Sequence, residues 1–149
     1  MVTQSTIDEF VSQPTLALVG ASRNRKKLGS HALRALKTRR HVLVVHPSAA
    51  TLEGEPCYPS LVQLPEQASG VIVVVKPAQA EAVVREAYAA GIKRVWLQPG
   101  AESADAVRFC ETHGMTCISG QCILMFAAPK RFPQSMYRRA LGLLGRLPK

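Results

Sequence analysis

Short continuous apolar runs recur along the chain, at Leu16–Val19, Val42–Val45, Val71–Val75, Val95–Leu97 and Thr116–Ile118, each bounded by Gly, Pro or charge. Runs this short, rich in β-branched residues and without polar alternation, have the pattern of strands buried on both faces. Stretches with helical spacing separate them. Ser30–Thr38 puts Ala32, Leu33 and Leu36 on one side, Ala78–Ala90 does the same with Ala80, Val83, Val84, Ala87 and Tyr88, and Ser103–His113 with Ala106, Val107 and Cys110. Gly91 and Gly114 stand where helix C-caps are expected. This alternation predicts an α/β fold: a Rossmann-like open, mostly parallel sheet of five to six strands with helices on both faces.

The remaining segments refine that outline. Pro47–Pro65 carries Gly54, Pro56 and Pro59, and reads as an abbreviated crossover to the sheet edge, with a short strand at Pro56–Tyr58 and a helical turn at Ser60–Val62. An N-terminal helix is expected within residues 5–13, docking through Ile7, Phe10 and Val11, with Asp8 and Glu9 complementing its dipole. Residues 1–128 then form one domain, and residues 129–149 a basic amphipathic extension. From Gln134 to Leu147 a helical projection gathers Met136, Tyr137, Ala140, Leu141, Leu143, Leu144 and Leu147 opposite Arg138, Arg139 and Arg146. Docking on the domain or on a second subunit is the favoured role for that helix, with binding to an anionic membrane surface as the alternative.

Charge adds a ligand class. The net charge is +9, with eight Lys or Arg and no acid in positions 10–52, and six more with no acid in positions 112–149. Such asymmetry favours a polyanionic partner. No apolar run approaches the roughly 18 residues of a membrane span, and Met1–Ser5 has no secretory pattern, so a cytoplasmic location is expected. Cys57, Cys110, Cys117 and Cys122 match neither a zinc ribbon nor a C-x-x-C pair, and most of them read as small buried hydrophobes. His31, His41, His46 and His113 have no metal-ligand spacing, and no metal is expected.

The candidate chemistry lies where the first strand ends. Leu16-Ala-Leu-Val-Gly20-Ala21-Ser22 runs into Arg23, Arg25, Lys26, Lys27 and Gly29. A strand entering a small-residue, cationic turn, with a helix expected to open near Gly29, presents backbone N–H groups and a positive dipole end to a phosphate. The spacing is not G-x-G-x-x-G, and the second strand ends in His46 where an NAD site would place an acid for the ribose hydroxyls. In an open α/β sheet the ligand sits beyond the strand ends, which here offer Gly20, Ala21 and Ser22; His46 and Pro47; Lys76 and Pro77; Gln98 and Gly100; and Cys122. None is a carboxylate, and no catalytic constellation emerges. Ser22 sits in a turn unlike a nucleophile elbow and without a His–acid pairing, and its expected role is to cap the turn or bond a phosphate.

Taken together, Leu18-Val-Gly-Ala-Ser22, Val44-Val-His46-Pro47, Cys57-Tyr-Pro-Ser-Leu61, Val95-Trp-Leu-Gln-Pro-Gly100 and the late Cys122 resemble the small bacterial CoA-binding proteins. These are similar to the CoA-binding N-terminal domain of the succinyl-CoA synthetase alpha subunit, over roughly residues 14–126 of this chain. The resemblance implies coenzyme A or acyl-CoA as ligand, with contacts from Gly20, Ala21, Ser22, Arg23, Lys27, His46, Pro47, Val75, Lys76, Pro77, Gln98 and Gly100. Family members commonly have Asn-Pro at His46-Pro47, an Arg at the strand end where Lys76 stands, and an acid where Gly120 stands. The synthetase's phosphohistidine belongs to a second domain that has no counterpart in this sequence, so non-catalytic or regulatory binding is the expectation. Cys122 falls just past the final strand, where a CoA thiol could reach it, although an inert buried cysteine is favoured. An NADP-dependent oxidoreductase and a polyanion or membrane-surface adaptor remain the rival readings. Homo-oligomers are compatible with the sequence, and no nucleic-acid partner is expected.

Overall fold

A computed structural model describes residues 3–124 except positions 25 and 39. Arg25, and the helix expected between Gln134 and Leu147, lie outside the described residues. Chain order is α1 (Gln4–Val11), β1 (Thr15–Val19), α2 (Leu28–Leu36), β2 (His41–Val45), β3 (Thr51–Leu52), β4 (Glu55–Tyr58), β5 (Gly70–Val73), α3 (Pro77–Ala89), β6 (Arg94–Leu97), α4 (Ala104–Thr112) and β7 (Thr116–Ser119), with a 3-10 turn at Leu61–Gln63. The sheet has seven strands in the order β3-β4-β2-β1-β5-β6-β7, all pairs parallel except β3 with β4. It is the open Rossmann-like α/β sheet expected, with more strands than the five to six expected. The surplus is β3, two residues ahead of a tight Glu53-Gly54 turn that sends the chain back as β4. Both turn residues have positive φ, +49° and +79°. Thr51-Leu52 is too short to register as an apolar run.

Residue alternation along the strands divides the core. Leu16, Leu18, Val42, Val44, Ile72, Trp96 and Ile118 face α1 and α2, whereas Ala17, Leu43, Val45, Val71, Val73, Val95 and Leu97 face α3 and α4. Both faces are covered, which is why the strands read as continuous apolar runs. Helix α1 begins at Gln4, capped by the Thr3 hydroxyl accepting from Thr6 N–H at 3.2 Å. Asp8 and Glu9 therefore fall beyond its first turn, and their expected role at the dipole is corrected. Asp8 accepts from the Gln4 amide, and Glu9 pairs with Arg94 of β6 at 2.9 Å, pinning the helix to the sheet. Phe10 meets the Trp96 ring with centroids 5.3 Å apart. A Cβ at Gly70 would come within 2.9 Å of the Phe10 ring, so the docking requires glycine there. Gly91 and Gly114 follow α3 and α4 with φ of +81° and +69°, the left-handed positions expected of them.

Candidate functional site

Strand β1 pairs with β2 on one side and β5 on the other, and the chain reverses its direction of travel across the sheet between them. Two cavities open at the strand ends on either side of this reversal. The larger, about 570 Å³, is lined by Gly20, Ser22 and Lys27–Gly29, by Val74–Pro77 with Gln79, and by Gln98–Ala101. The smaller, about 280 Å³, is lined by Val19–Ala21, Val45–Pro47, Pro59, Leu61, Val75, Val83 and Glu86. Gly20 and Val75 border both. Among the described residues no carboxylate lines the larger cavity.

Two helices aim their N-termini at that cavity. The N-cap positions of α2 and α3 are Lys27 and Lys76, both extended and neither capped by a side chain. First-turn N–H groups of Leu28 and Gly29 have no intrahelical acceptor. With the dipole ends and two ammonium groups, they make an anion-binding corner. Close packing at the β1–α2 junction depends on two glycines. A Cβ on Gly20, whose φ is +114°, would lie 1.9 Å from the Val74 carbonyl oxygen, and one on Gly29 would lie 2.2 Å from the Gly20 oxygen. Gly20 therefore lets β1 turn against β5, and Gly29 lets α2 approach the turn.

The loop between them is held by its own polar groups. Ser22 Oγ accepts from Asn24 N–H at 3.0 Å, and Asn24 Oδ1 accepts from Lys26 N–H at 3.0 Å. Ser30, fully buried, donates to the Ser22 carbonyl at 2.7 Å. Ser22 thus caps the turn, and Ser30, read from the sequence only as the start of a helical stretch, clamps the loop to the helix.

Beside the smaller cavity, His46 Nδ1 accepts from Ser48 N–H at 3.1 Å and Ala49 N–H at 2.8 Å. This fixes the neutral tautomer, with the proton on Nε2. Desolvation, then the nearby Arg23 guanidinium, hold the imidazole below its ordinary value of 6.5. Arg23 lines neither cavity and reaches across to donate to Ser48 Oγ at 3.4 Å. Burial pushes the adjacent Cys57 thiol up, partly offset by Arg23. Glu86, the acid at this cavity, is engaged by the Leu61 N–H.

Of the sequence candidates, Gly20, Ser22, Lys27, Val75, Lys76, Pro77, Gln98 and Gly100 line the larger cavity, and Gly20, Ala21, His46, Pro47 and Val75 the smaller. Two candidates have other occupations. The Gln98 side chain is fully buried: its Oε1 accepts from Trp96 Nε1 at 3.0 Å and Ile123 N–H at 2.6 Å, and its Nε2 lies 3.6 Å from Cys122 Sγ. It ties the segment after β7 to the core. Cys122 is 4% exposed and lines neither cavity. Leu28, Gly29, Gln79, Pro99, Ala101, Pro59 and Glu86 join the walls without having been singled out as contacts. Gly29 carried a signal, as the second small residue in a strand-turn-helix junction. The others depend on tertiary placement.

Fold and cavity together define an open α/β domain with a cavity at its switch point, where two helix N-termini meet. The chain belongs to the CoA binding domain family, whose sequence profile matches residues 14–128. Among solved structures it is similar to a conserved hypothetical protein of Pyrococcus furiosus, 40% identical, covering 74% of this chain and 97% of that one with a TM-score of 0.71. It is also similar to a hypothetical protein of Pyrococcus horikoshii, 26% identical over 83% of this chain and 89% of that one, with a TM-score of 0.79. The ADP-forming acetate–CoA ligase I of Archaeoglobus fulgidus is 26% identical over 121 residues, 74% of this chain. The match spans only 18% of the ligase's length. The expected relationship to CoA ligases of the succinyl-CoA synthetase kind therefore holds for the CoA-binding region.

Proposed function

We propose that this chain binds coenzyme A or an acyl-CoA in the paired cavities, without itself carrying out a ligase reaction. One observation carries the reading: two helix N-termini without side-chain caps, each with a lysine at its N-cap, converge on a single cavity that has no carboxylate among its described lining residues. Coenzyme A has a diphosphate and a ribose 3′-phosphate, and such anions gain most from backbone N–H groups, dipole ends and cations acting together. In this reading the diphosphate rests against Gly20–Ser22 and the first turn of α2, between Lys27 and Lys76. The adenosine end lies toward Ala21, His46, Pro47 and Val75, with Arg23 near its ribose phosphate. The pantetheine arm follows Gln98–Gly100, where Gln98 shapes the wall and its amide stays in the core. Cys122 is assigned to packing. The binding unit is residues 1–128, with 129–149 as an extension.

Calorimetric titration with CoA, acetyl-CoA, NAD and NADP at matched salt tests the assignment. CoA or acetyl-CoA is expected to bind tightest. NAD or NADP binding as tightly or more tightly would overturn it, and an NADP preference would favour the oxidoreductase reading, in which the same cations hold a 2′-phosphate.

A further inference from the structure

Among the described residues only Ser30 and Gln98 are polar and wholly buried. Ser30 serves its own loop, but Gln98 joins two parts of the molecule. Its N–H donates to the Val73 carbonyl at 3.1 Å, just past the end of β6, and the residue borders the larger cavity. Its side chain lies in the core with the segment that follows β7. Strand β7 ends at Ser119, the chain turns at Gly120 with φ of +79°, and Cys122, Ile123 and Leu124 are then buried beyond the paired strands. Trp96 and Gln98 hydrogen-bond three successive residues of that segment. Trp96 Nε1 donates to the Gln121 carbonyl at 2.9 Å, Gln98 Nε2 donates to Cys122 Sγ at 3.6 Å, and Ile123 N–H donates to Gln98 Oε1 at 2.6 Å.

One amide is therefore both part of the cavity wall and the anchor of the segment leading to the C-terminal extension. While residues 121–124 are docked, both ends of the amide are satisfied. If they lift away, Oε1 loses the Ile123 N–H and Nε2 loses Cys122, and a buried amide stripped of partners is costly. Rotation of the side chain relieves that cost by bringing the amide to water, and the nearest opening that the residue borders is the larger cavity. An amide turned into the cavity and a ligand filling it compete for the same space. This gives the ligand the differential affinity for two states without which no equilibrium shifts.

We propose that Gln98 is a positioning residue that couples occupancy of the larger cavity to docking of residues 121–124. The coupling rests on the proposed CoA site and gives it a means of regulation. Bound CoA keeps the Gln98 amide in the core and the segment docked. By reciprocity, a contact that draws residues 121–124 away from the core lowers the affinity for CoA by the same factor.

Amide hydrogen exchange of the full chain, followed by NMR with and without saturating CoA, tests this, and calorimetry on the same protein establishes that CoA is bound. Binding also stabilises the fold as a whole, so amides of α4, which packs on the other face of the sheet, serve as the reference. CoA is expected to slow exchange at Ile123 by roughly 5- to 150-fold more than in α4, the ordinary range of coupling between sites. Alkylation of Cys122 by iodoacetamide should slow in parallel, measured against Cys110, which is buried and borders neither cavity. In Gln98→Met an apolar side chain of similar length has no amide to release. Ligand-free exchange at Ile123 should be faster there than in the unsubstituted chain, and the extra protection by CoA should be lost. Equal slowing at Ile123 and α4 in the unsubstituted chain, or extra protection that persists in Gln98→Met, overturns the coupling. Bound CoA without any change at residues 121–124 overturns the coupling and leaves the proposed function standing, whereas absence of CoA binding overturns both. The unsubstituted chain decides the matter even if Gln98→Met does not fold.

Discussion

Gly20 shows how a residue in a proposed binding turn can be required by the fold before any ligand arrives. Its absent side chain leaves room for the Val74 carbonyl, which would otherwise lie 1.9 Å from a Cβ. Gly20→Val is therefore expected to lose the native fold, by circular dichroism, and it measures packing where a simple reading of the glycine turn would have it measure affinity. The lysines at the two N-caps are the informative positions. Each can give a bound phosphate a charge-assisted hydrogen bond, whose loss costs about 1.5–3 kcal/mol, equivalent to roughly 10- to 150-fold in affinity. Lys27→Ala and Lys76→Ala are expected to weaken CoA binding by that order. Lys26→Ala, on an exposed side chain that lines neither cavity, should change mainly the salt dependence. Titration of the three variants at two ionic strengths checks this, and equal losses in all three would remove the distinction between contact and steering.

At the scale of elements, the buried parallel strands were the most legible part of the sequence, because strands covered on both faces must be apolar throughout. Trp96 and Ile118 on one face, and Val95 and Leu97 on the other, belong to the same two short runs. Less legible were the features that depend on partners distant in sequence: the two-residue β3, the Ser30 clamp on the loop, and the diversion of Gln98 into the core. The end of β2 combines both cases. His46 was visible as the residue standing where an acid would serve NAD, but its bonds to the Ser48 and Ala49 N–H groups emerge only from the turn geometry. Those bonds require an unprotonated Nδ1, and the folded-state value lies below the ordinary 6.5. The unfolded chain therefore binds the proton more readily, so this contribution to stability is present above pH 6.5 and is lost as pH falls from there toward the folded value. His46→Asn can accept one of the same N–H groups through its amide oxygen, without titrating. Thermal melts across this window should show a smaller acid-side loss for His46→Asn than for the unsubstituted chain, and identical profiles would show that the imidazole does not govern the turn.

For the whole molecule the question is how the +9 charge divides between the site and the extension. Part of the positive charge belongs to the β1–α2 loop, where Arg23, Lys26 and Lys27 surround the turn at the cavities. A further six Lys or Arg lie in positions 112–149, unaccompanied by any acid. Among the described residues no helix is long and apolar enough to cross a membrane. The basic, amphipathic pattern of residues 129–149 makes attraction to an anionic surface the membrane mode to test. If the cavity cations bind the ligand and the extension serves another contact, the two properties are separable. Deleting residues 129–149 is then expected to leave CoA affinity within about threefold, because phosphate contacts are short-ranged and charges beyond a Debye length of about 8 Å are largely screened at physiological salt. The same deletion should abolish any binding to anionic vesicles, measured by sedimentation at low and physiological salt. A large loss of CoA affinity instead would make the extension part of the binding unit and move the domain limit past residue 128. Vesicle binding that survives the deletion would place the membrane-attracting charge on the domain itself, with the β1–α2 cations as the first residues to neutralise.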